Sequence, residues 1–271
     1  MVYCSGFGVH KDGFKRLEYY GWKVKLIKHP IWNPNNNDND NNDFDPEQID
    51  FNRLWIWSLV EYDKVIFLDY NIMVLKDICE LFDIDVWSES PDQQFAASSK
   101  TLPNDEFDAR LLLIKPDVSL FTEMLSQIKT GDIDPSVQDF GDLLNSFFPH
   151  WYEMRGPHRL RPIYNTPYLW TEDETVWKKH RSKIKVFNFG DTKPWKIIND
   201  PSRYRVSKFA APLLYVWSLL RFFVSLPTGN SLEEEARYVF REVFDITKSS
   251  KTIIEYMERM KRGGTRRRVE L

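Results

Sequence analysis

The stretch KVIFLDYN, residues 64 to 71, climbs through four apolar residues to a carboxylate, Asp69, and sets an amide, Asn71, two positions on. A buried strand that ends in an acid carries a hard oxygen ligand or a proton-transfer group to the mouth of a site. A divalent-metal pair would want a second acid at position 71. An amide oxygen still coordinates, but without a negative charge. The chemistry on offer is a weak, incomplete metal site at Asp69 and Asn71, or the remains of a stronger one. Other cofactor signals are thin. The five histidines are scattered with no i, i+4 pair. VYCSGFGVHKDG has two glycines but no dinucleotide fingerprint. DNDNND has the acids of a calcium loop without its spaced Gly and closing Glu. Cys4 and Cys79 are too few for a disulfide framework or a structural zinc site, so reduced thiols and a cytoplasmic setting are expected.

The elements that must position Asp69 follow from periodicity. KDGFKRLEYYG places Phe14, Leu17 and Tyr20 on one helical face, and residues 22 to 28 read as a strand, giving a helix–strand unit. Residues 33 to 46 are Asn/Asp-rich and without apolar period, so a flexible loop is expected. Ile49, Leu54, Trp57 and Val60 suggest a helix before Asp69. KVIFLD reads as a central strand covered on both faces, NIMVL as extended, and ICELFD as a short helical turn. A second buried strand is expected at 110 to 114, ended by Pro116. Val118, Phe121, Leu125 and Ile128 mark a helix closed by Gly131. Val137, Phe140, Leu144 and Phe147 mark another, with Ser136 as its N-cap. KIKVFNF reads as a last strand. Strands alternating with helices imply an α/β fold with a mostly parallel sheet and a site at the strands' C-terminal ends.

A domain at 1–206 and a helical C-terminal region at 207–271 with a basic tail are expected. The net charge of −3 gives no electrostatic reason for a nucleic-acid partner. The 18 residues FAAPLLYVWSLLRFFVSL, 209 to 226, hold Pro212 and Arg221; a buried helix is preferred over membrane contact. The N-terminus MVYCSGFGVHKDGF has no charged n-region followed by an apolar core, so no secretory signal is read.

Several stretches, in order from about residue 45 to 196, resemble the family 8 glycosyltransferases of glycogenin type. FNRLWIWSLVEYDKVIFLDYNIMVLKDICELFD resembles that family's helix, strand and metal-motif segment. FDARLLLIKPD resembles its Asn-Ser/Ala-Gly strand, and DFGDLLNSFF its Gly-Asp-Gln-Gly-x-x-Asn helix. RPIYN and FNFGDTKPW resemble two later stretches, the second being its His-Phe-x-Gly-x-x-Lys-Pro-Trp loop. The resemblance implies a GT-A (Rossmann-like) fold and a retaining transfer from a UDP-sugar assisted by Mn²⁺.

The resemblance also assigns roles, and this chain departs from several. The Asp-x-Asp pair becomes Asp69 and Asn71, and the metal-binding His position falls on Phe187. The Asn-Ser/Ala-Gly positions become Asp108, Ala109 and Arg110. The acid beside the reacting carbon falls on Phe140, flanked by Asp139 and Asp142. Arg53, Lys193 and Gly190, together with Asp69, keep positions that face the donor nucleotide; the alternative is that Arg53 pairs with a local acid and Lys193 is a solvated loop residue. The opening segment that binds uridine in the family has at most one short strand here, from a truncated gene or a discarded pocket. The expectation is therefore a catalytically impaired family member with no cofactor and with a structural or binding role. Its partner is a protein or a second copy, met through the C-terminal helices. The alternative is an active hexosyltransferase acting on a protein or glycan, using UDP-sugar and Mn²⁺ with altered metal dependence. In it Asp139, Asp142 or Asp108 would assist catalysis.

Overall fold

The computed structural model describes residues 2–4, 15, 17–19, 22–26, 31, 51–86, 94–100, 106–134, 136–137, 139–154, 156–190, 193–194, 196, 206–214 and 217. Its strands are β1 (Val2–Cys4), β2 (Val24–Leu26), β3 (Val65–Leu68), β4 (Ile72–Val74), β5 (Phe95–Ser99), β6 (Phe107–Ile114), β7 (Thr166–Pro167) and β8 (Val186–Asn188). Its α-helices are α1 (Val118–Thr130), α2 (Phe140–Phe147) and α3 (Glu174–His180). The chain forms two compact units: Met1–Asp69 with Asp77–Asn165, and Tyr70–Lys76 with Thr166–Leu271. This division falls elsewhere than the boundary at 206/207 read from the sequence. The 33–46 loop, and all but a few residues of the C-terminal region, lie outside the described residues.

In the first unit β1 pairs in parallel with β2, after helical residues 15 and 17–19. β6 is the middle strand of an antiparallel sheet, with β3 on one side and β5 on the other. Leu111, Leu112, Leu113 and Ile114 are fully enclosed, and Leu112 and Ile114 join the main core together with the rings of Phe95, Phe107 and Phe140. Each such side chain contributes roughly 1.5–3 kcal/mol of burial free energy. The central-strand pattern thus belongs to β6, which begins at Phe107 rather than 110. β3, expected to be covered on both faces, is partly exposed, and Leu68 keeps 38% of its surface. The pairing register β5–β6 breaks: Ala97 faces Leu112, but Ser98 faces Asp108. Ala109, Arg110 and Leu111 therefore have no partner in β5, an irregularity of the kind that re-aims side chains.

The helices of this unit follow their apolar periods, with corrections at the ends. Residues Phe51–Ser58 wind as a 3₁₀ helix that buries Phe51, Leu54, Ile56 and Trp57, while Val60 stands outside it and is exposed. α1 is capped by Asp117, whose carboxylate accepts from Leu120 N, and it ends at Gly131 with φ +72°. Only glycine adopts that left-handed C-cap without strain. Its buried stripe is Leu120, Phe121, Met124 and Ile128; Val118 faces solvent. α2 is capped by Asp139, not Ser136: the carboxylate accepts from Asp142 N at 2.8 Å. Phe95, Phe107, Phe148 and Trp151 form a ring cluster with centroid separations of 4.8 to 6.5 Å.

In the second unit β8 lies between β4, antiparallel, and β7, parallel. Its core gathers Met73, Leu75, Trp177, Ile184, Phe187, Phe189, Leu213 and Leu214. α3 starts at the Asp173 cap. The α/β class is as expected, but the described strand pairs are mixed, with two parallel and three antiparallel, rather than mostly parallel. Apolar alternation reports which face is buried and is silent on strand direction.

Candidate functional site

The first unit gathers most of the charged candidates at the end of β3. Asp69 N donates to Arg110 O at 2.8 Å, one step beyond the Leu68–Leu111 pair. That bond fixes the Asp69 backbone against β6. The residue is buried, at 6% exposure. Arg53, from the 3₁₀ helix, reaches it with Nη1 at 2.9 Å from Oδ2. The guanidinium carbon lies 5.4 Å from the centroid of the Phe140 ring, at the start of α2, and Phe140 packs on Phe67 at 6.0 Å. Arginine over an aromatic face at this range is attracted by the ring quadrupole.

Asp108 and Arg110 occupy the irregular part of β6. Asp108 Oδ1 accepts from Arg110 N, and Oδ2 from Arg110 Nη1, both at 2.9 Å. Asp108 is buried too. Two inward carboxylates of this unit are thus each matched by an arginine, as buried charge requires. Gly141 follows Phe140; a Cβ there would sit 3.0 Å from Asp139 Oδ1 and 3.9 Å from Ala109 Cβ.

The remaining acids of α2 do other work. Asp139 is exposed and spends Oδ1 on the helix cap. Asp142 lies 3.8 Å from Lys100, which also holds Glu106 at 3.1 Å. Burial opposes the charge on Lys100, yet the bond to Glu106 and the charges of Glu106, Asp142 and Asp139 leave its ammonium pKa raised. Beside these lies a cavity of about 340 Å³ lined by Glu106, Asp134, Asp142, Asn145 and Phe148, among others. Of the three acids proposed as assistants, only Asp108 lies in the buried, arginine-matched group with Asp69's neighbours.

The second unit holds the other candidates. Asn71 is buried, and its carbonyl accepts from Phe189 N at 3.0 Å. Gly190 has φ +69°, and its N–H donates to Asn188 Oδ1 at 2.7 Å. Asn188 therefore shapes a turn, a common task for this side chain. Lys193 Nζ stands 5.6 Å from the Tyr70 ring centroid. Phe187 has no exposed surface. It packs on Phe189 at 5.0 Å and on Tyr168 and Trp177 at 6.3 Å each.

These residues do not fit Mn²⁺, which asks for hard oxygen donors with an imidazole. The Asp69 carboxylate is engaged by a guanidinium, position 71 offers a neutral amide, and position 187 is a ring in a dry cluster. Among the described residues no three His, Cys, Asp or Glu side chains come together as a metal site. The Asp69 and Asn71 read from the sequence as a weak, incomplete metal pair fall in different units, Asp69 in the first and Asn71 in the second. Sequence reasoning allowed Arg53 a local acid without naming it, and missed the pair of Arg110 with Asp108. Residues i and i+2 of a strand share a face, so Asp108 and Arg110 were a findable pair. Nothing in the sequence pointed Arg53 at Asp69.

Residues 2–110 match the family described as glycosyl transferase family 8. The chain is 30% identical over 185 residues to Glycogenin-1 of Caenorhabditis elegans, covering 67% of this chain and 40% of that protein. It is 26% identical over 225 residues to Galactinol synthase 2 of Arabidopsis thaliana, covering 71% and 63%. A crystal structure of the glycosyltransferase GlyE of Streptococcus pneumoniae TIGR4 aligns with 18% identity and a TM-score of 0.44, over 74% of this chain and 46% of that one. The chain spans less than two thirds of the length of the curated relatives it matches.

Proposed function

We propose that this chain, which belongs to the glycogenin-like members of glycosyltransferase family 8, is a pseudo-glycosyltransferase that keeps the family's scaffold and has lost efficient sugar transfer. The observation that carries this reading is the enclosure of Phe187. The position at which the family places a metal-binding imidazole is part of the aromatic core of the second unit, with no surface exposed. A phenyl ring offers no donor, and an imidazole in its place would be taken from water into an apolar cluster.

The substitutions reinforce one another. Asn71 removes a charge, Arg110 fills a position that the family keeps small, and Phe140 replaces an acid with a ring. They touch metal, sugar and chemistry separately, so no single change restores them. A divalent ion contributes several kcal/mol of charge stabilisation to such a transfer, and without it a leaving diphosphate is poorly neutralised. The role that remains is binding or structural, in a reducing compartment such as the cytoplasm, with a protein partner or a second copy. Among the described residues no helix is long and apolar enough to cross a membrane.

The test is calorimetric titration of UDP into the purified chain with and without Mn²⁺, followed by a turnover assay across a panel of UDP-sugars. The expected result is no metal-dependent binding and no released UDP above the uncatalysed rate. Micromolar, metal-dependent binding with turnover would restore the active hexosyltransferase.

A further inference from the structure

We infer that Arg53 is the resident counter-ion of Asp69, and that its guanidinium closes this carboxylate to divalent cations. The inference rests on the reading of a metal-depleted site given above and names the residue that enforces the depletion. Three observations converge on it. The ion pair is short, 2.9 Å between Nη1 and Oδ2. It is largely enclosed, with side-chain exposures of 23% for Arg53 and 3% for Asp69. And the guanidinium rests against the Phe140 ring at 5.4 Å, itself braced by Phe67.

The physics of each contact favours the arginine over a metal ion. A guanidinium is permanently charged, weakly hydrated and planar, so it suits a buried carboxylate better than a cation that holds its water tightly. The pairing already neutralises Asp69, so an arriving dication would have to displace the arginine and strand its charge. Phe140 matters here for what it lacks. An acid at that position would offer Arg53 a second carboxylate and loosen its hold on Asp69. A ring offers a face that holds the guanidinium without competing for it. Asp108 does not supply a substitute ligand, since Arg110 meets both of its oxygens.

The experiment follows the EPR signal of free Mn²⁺ as the full chain is added, for the native protein and for Arg53→Met, Asp69→Asn and the double variant of both. Arg53→Met is expected to bind Mn²⁺ at least about tenfold more tightly than the native chain, and the double variant to lose that gain. Asp69→Asn alone is expected to leave the native signal unchanged. If the native chain binds Mn²⁺ and Asp69→Asn removes the binding, the inference is overturned. It is also overturned if the gain in Arg53→Met persists in the double variant. Because Arg53→Met removes a partner of a buried acid, its melting is followed with and without Mn²⁺. Stabilisation of this variant but not of the native chain is the expected signature; equal response in both overturns the inference. Turnover of a UDP-sugar by the native chain in the presence of a chelator would overturn the pseudoenzyme reading and leave the role of Arg53 standing.

Discussion

The interior of the first unit retains charge at the end of β3, whereas the interior of the second, beside β8, is built of rings. Asp69 and Asp108 are buried acids, and each is met by an arginine. Phe187, Phe189 and Trp177 fill the corresponding depth of the second unit with apolar surface. These are two physical answers to the same problem, how to fill an interior position. Charge can stay if it is paired, or it can be replaced by packing. The first answer keeps polarity by coupling side chains, neighbours on one strand at Asp108 and Arg110 and separate elements at Arg53 and Asp69. The second makes stability depend on shape.

The comparison can be broken most forcefully at Phe187. Phe187→Ala should destabilise the second unit by about 3–5 kcal/mol, the usual range for an enclosed phenyl ring, measured by urea unfolding. Phe187→His should be milder, at about 1–3 kcal/mol for an imidazole lacking good partners, and should give no new Mn²⁺ binding. A stable, metal-binding Phe187→His would erase the distinction between the units. Arg53→Met tests the charged answer. It should lower stability by about 3 kcal/mol, the lower end for a broken buried pair, because the Arg53 side chain keeps 23% exposure. Adding Asp69→Leu should recover part of the loss in a double-mutant cycle; strict additivity would mean that the pair is not coupled.

Smaller effects sharpen the picture. Asp139→Ala should cost about 1 kcal/mol through loss of the α2 cap. If Asp139 were catalytic, a loss of turnover with little change in melting would appear instead. In the second unit Glu174 is held by Lys178 and Lys208, both at 2.7 Å, and hydrogen bonds from Lys178 and then Lys208 push its carboxyl down to about 2 from 4.5. The folded-state value is the lower one, so this contribution is complete above about pH 4.5. It is lost as the pH falls from there towards about 2. Glu174→Gln should flatten that part of the acid-unfolding curve. The group is exposed, so the change should be small and should shrink further in salt.

Much of the scaffold was legible because burial writes a period. The positions of α1 and α2, the Gly131 stop and the apolar core of β6 read from spacing, whereas the buried stripes kept only Phe121 and Ile128 in α1 and Phe140 and Leu144 in α2 of the residues expected there. The ends of elements were less legible. Ser136 and Asp139 are both good caps on type alone, and only the first N–H groups of the helix decide between them. The 3₁₀ winding of Phe51–Ser58 leaves almost the same apolar pattern as an α-helix over two turns. Strand direction was invisible, as it is in any alternation. At the site, the residue types at positions 71 and 187 were plain from the sequence. The pairing of Arg53 with Asp69 was not, because it joins elements 16 positions apart through a geometry that no local pattern encodes.

Gly141 carries a consequence for anyone who would engineer this protein. Replacing a helical glycine with alanine is a standard stabilising substitution, worth about 1 kcal/mol from propensity alone. Here the added methyl would sit 3.0 Å from the Asp139 carboxylate that caps the same helix, and near Ala109 of β6. The gain in propensity would be set against a disturbed cap, while Ala109 at 3.9 Å would make only ordinary van der Waals contact. A library scored for thermal stability should therefore pass over position 141, and the close seat of α2 on β6 should persist among its survivors.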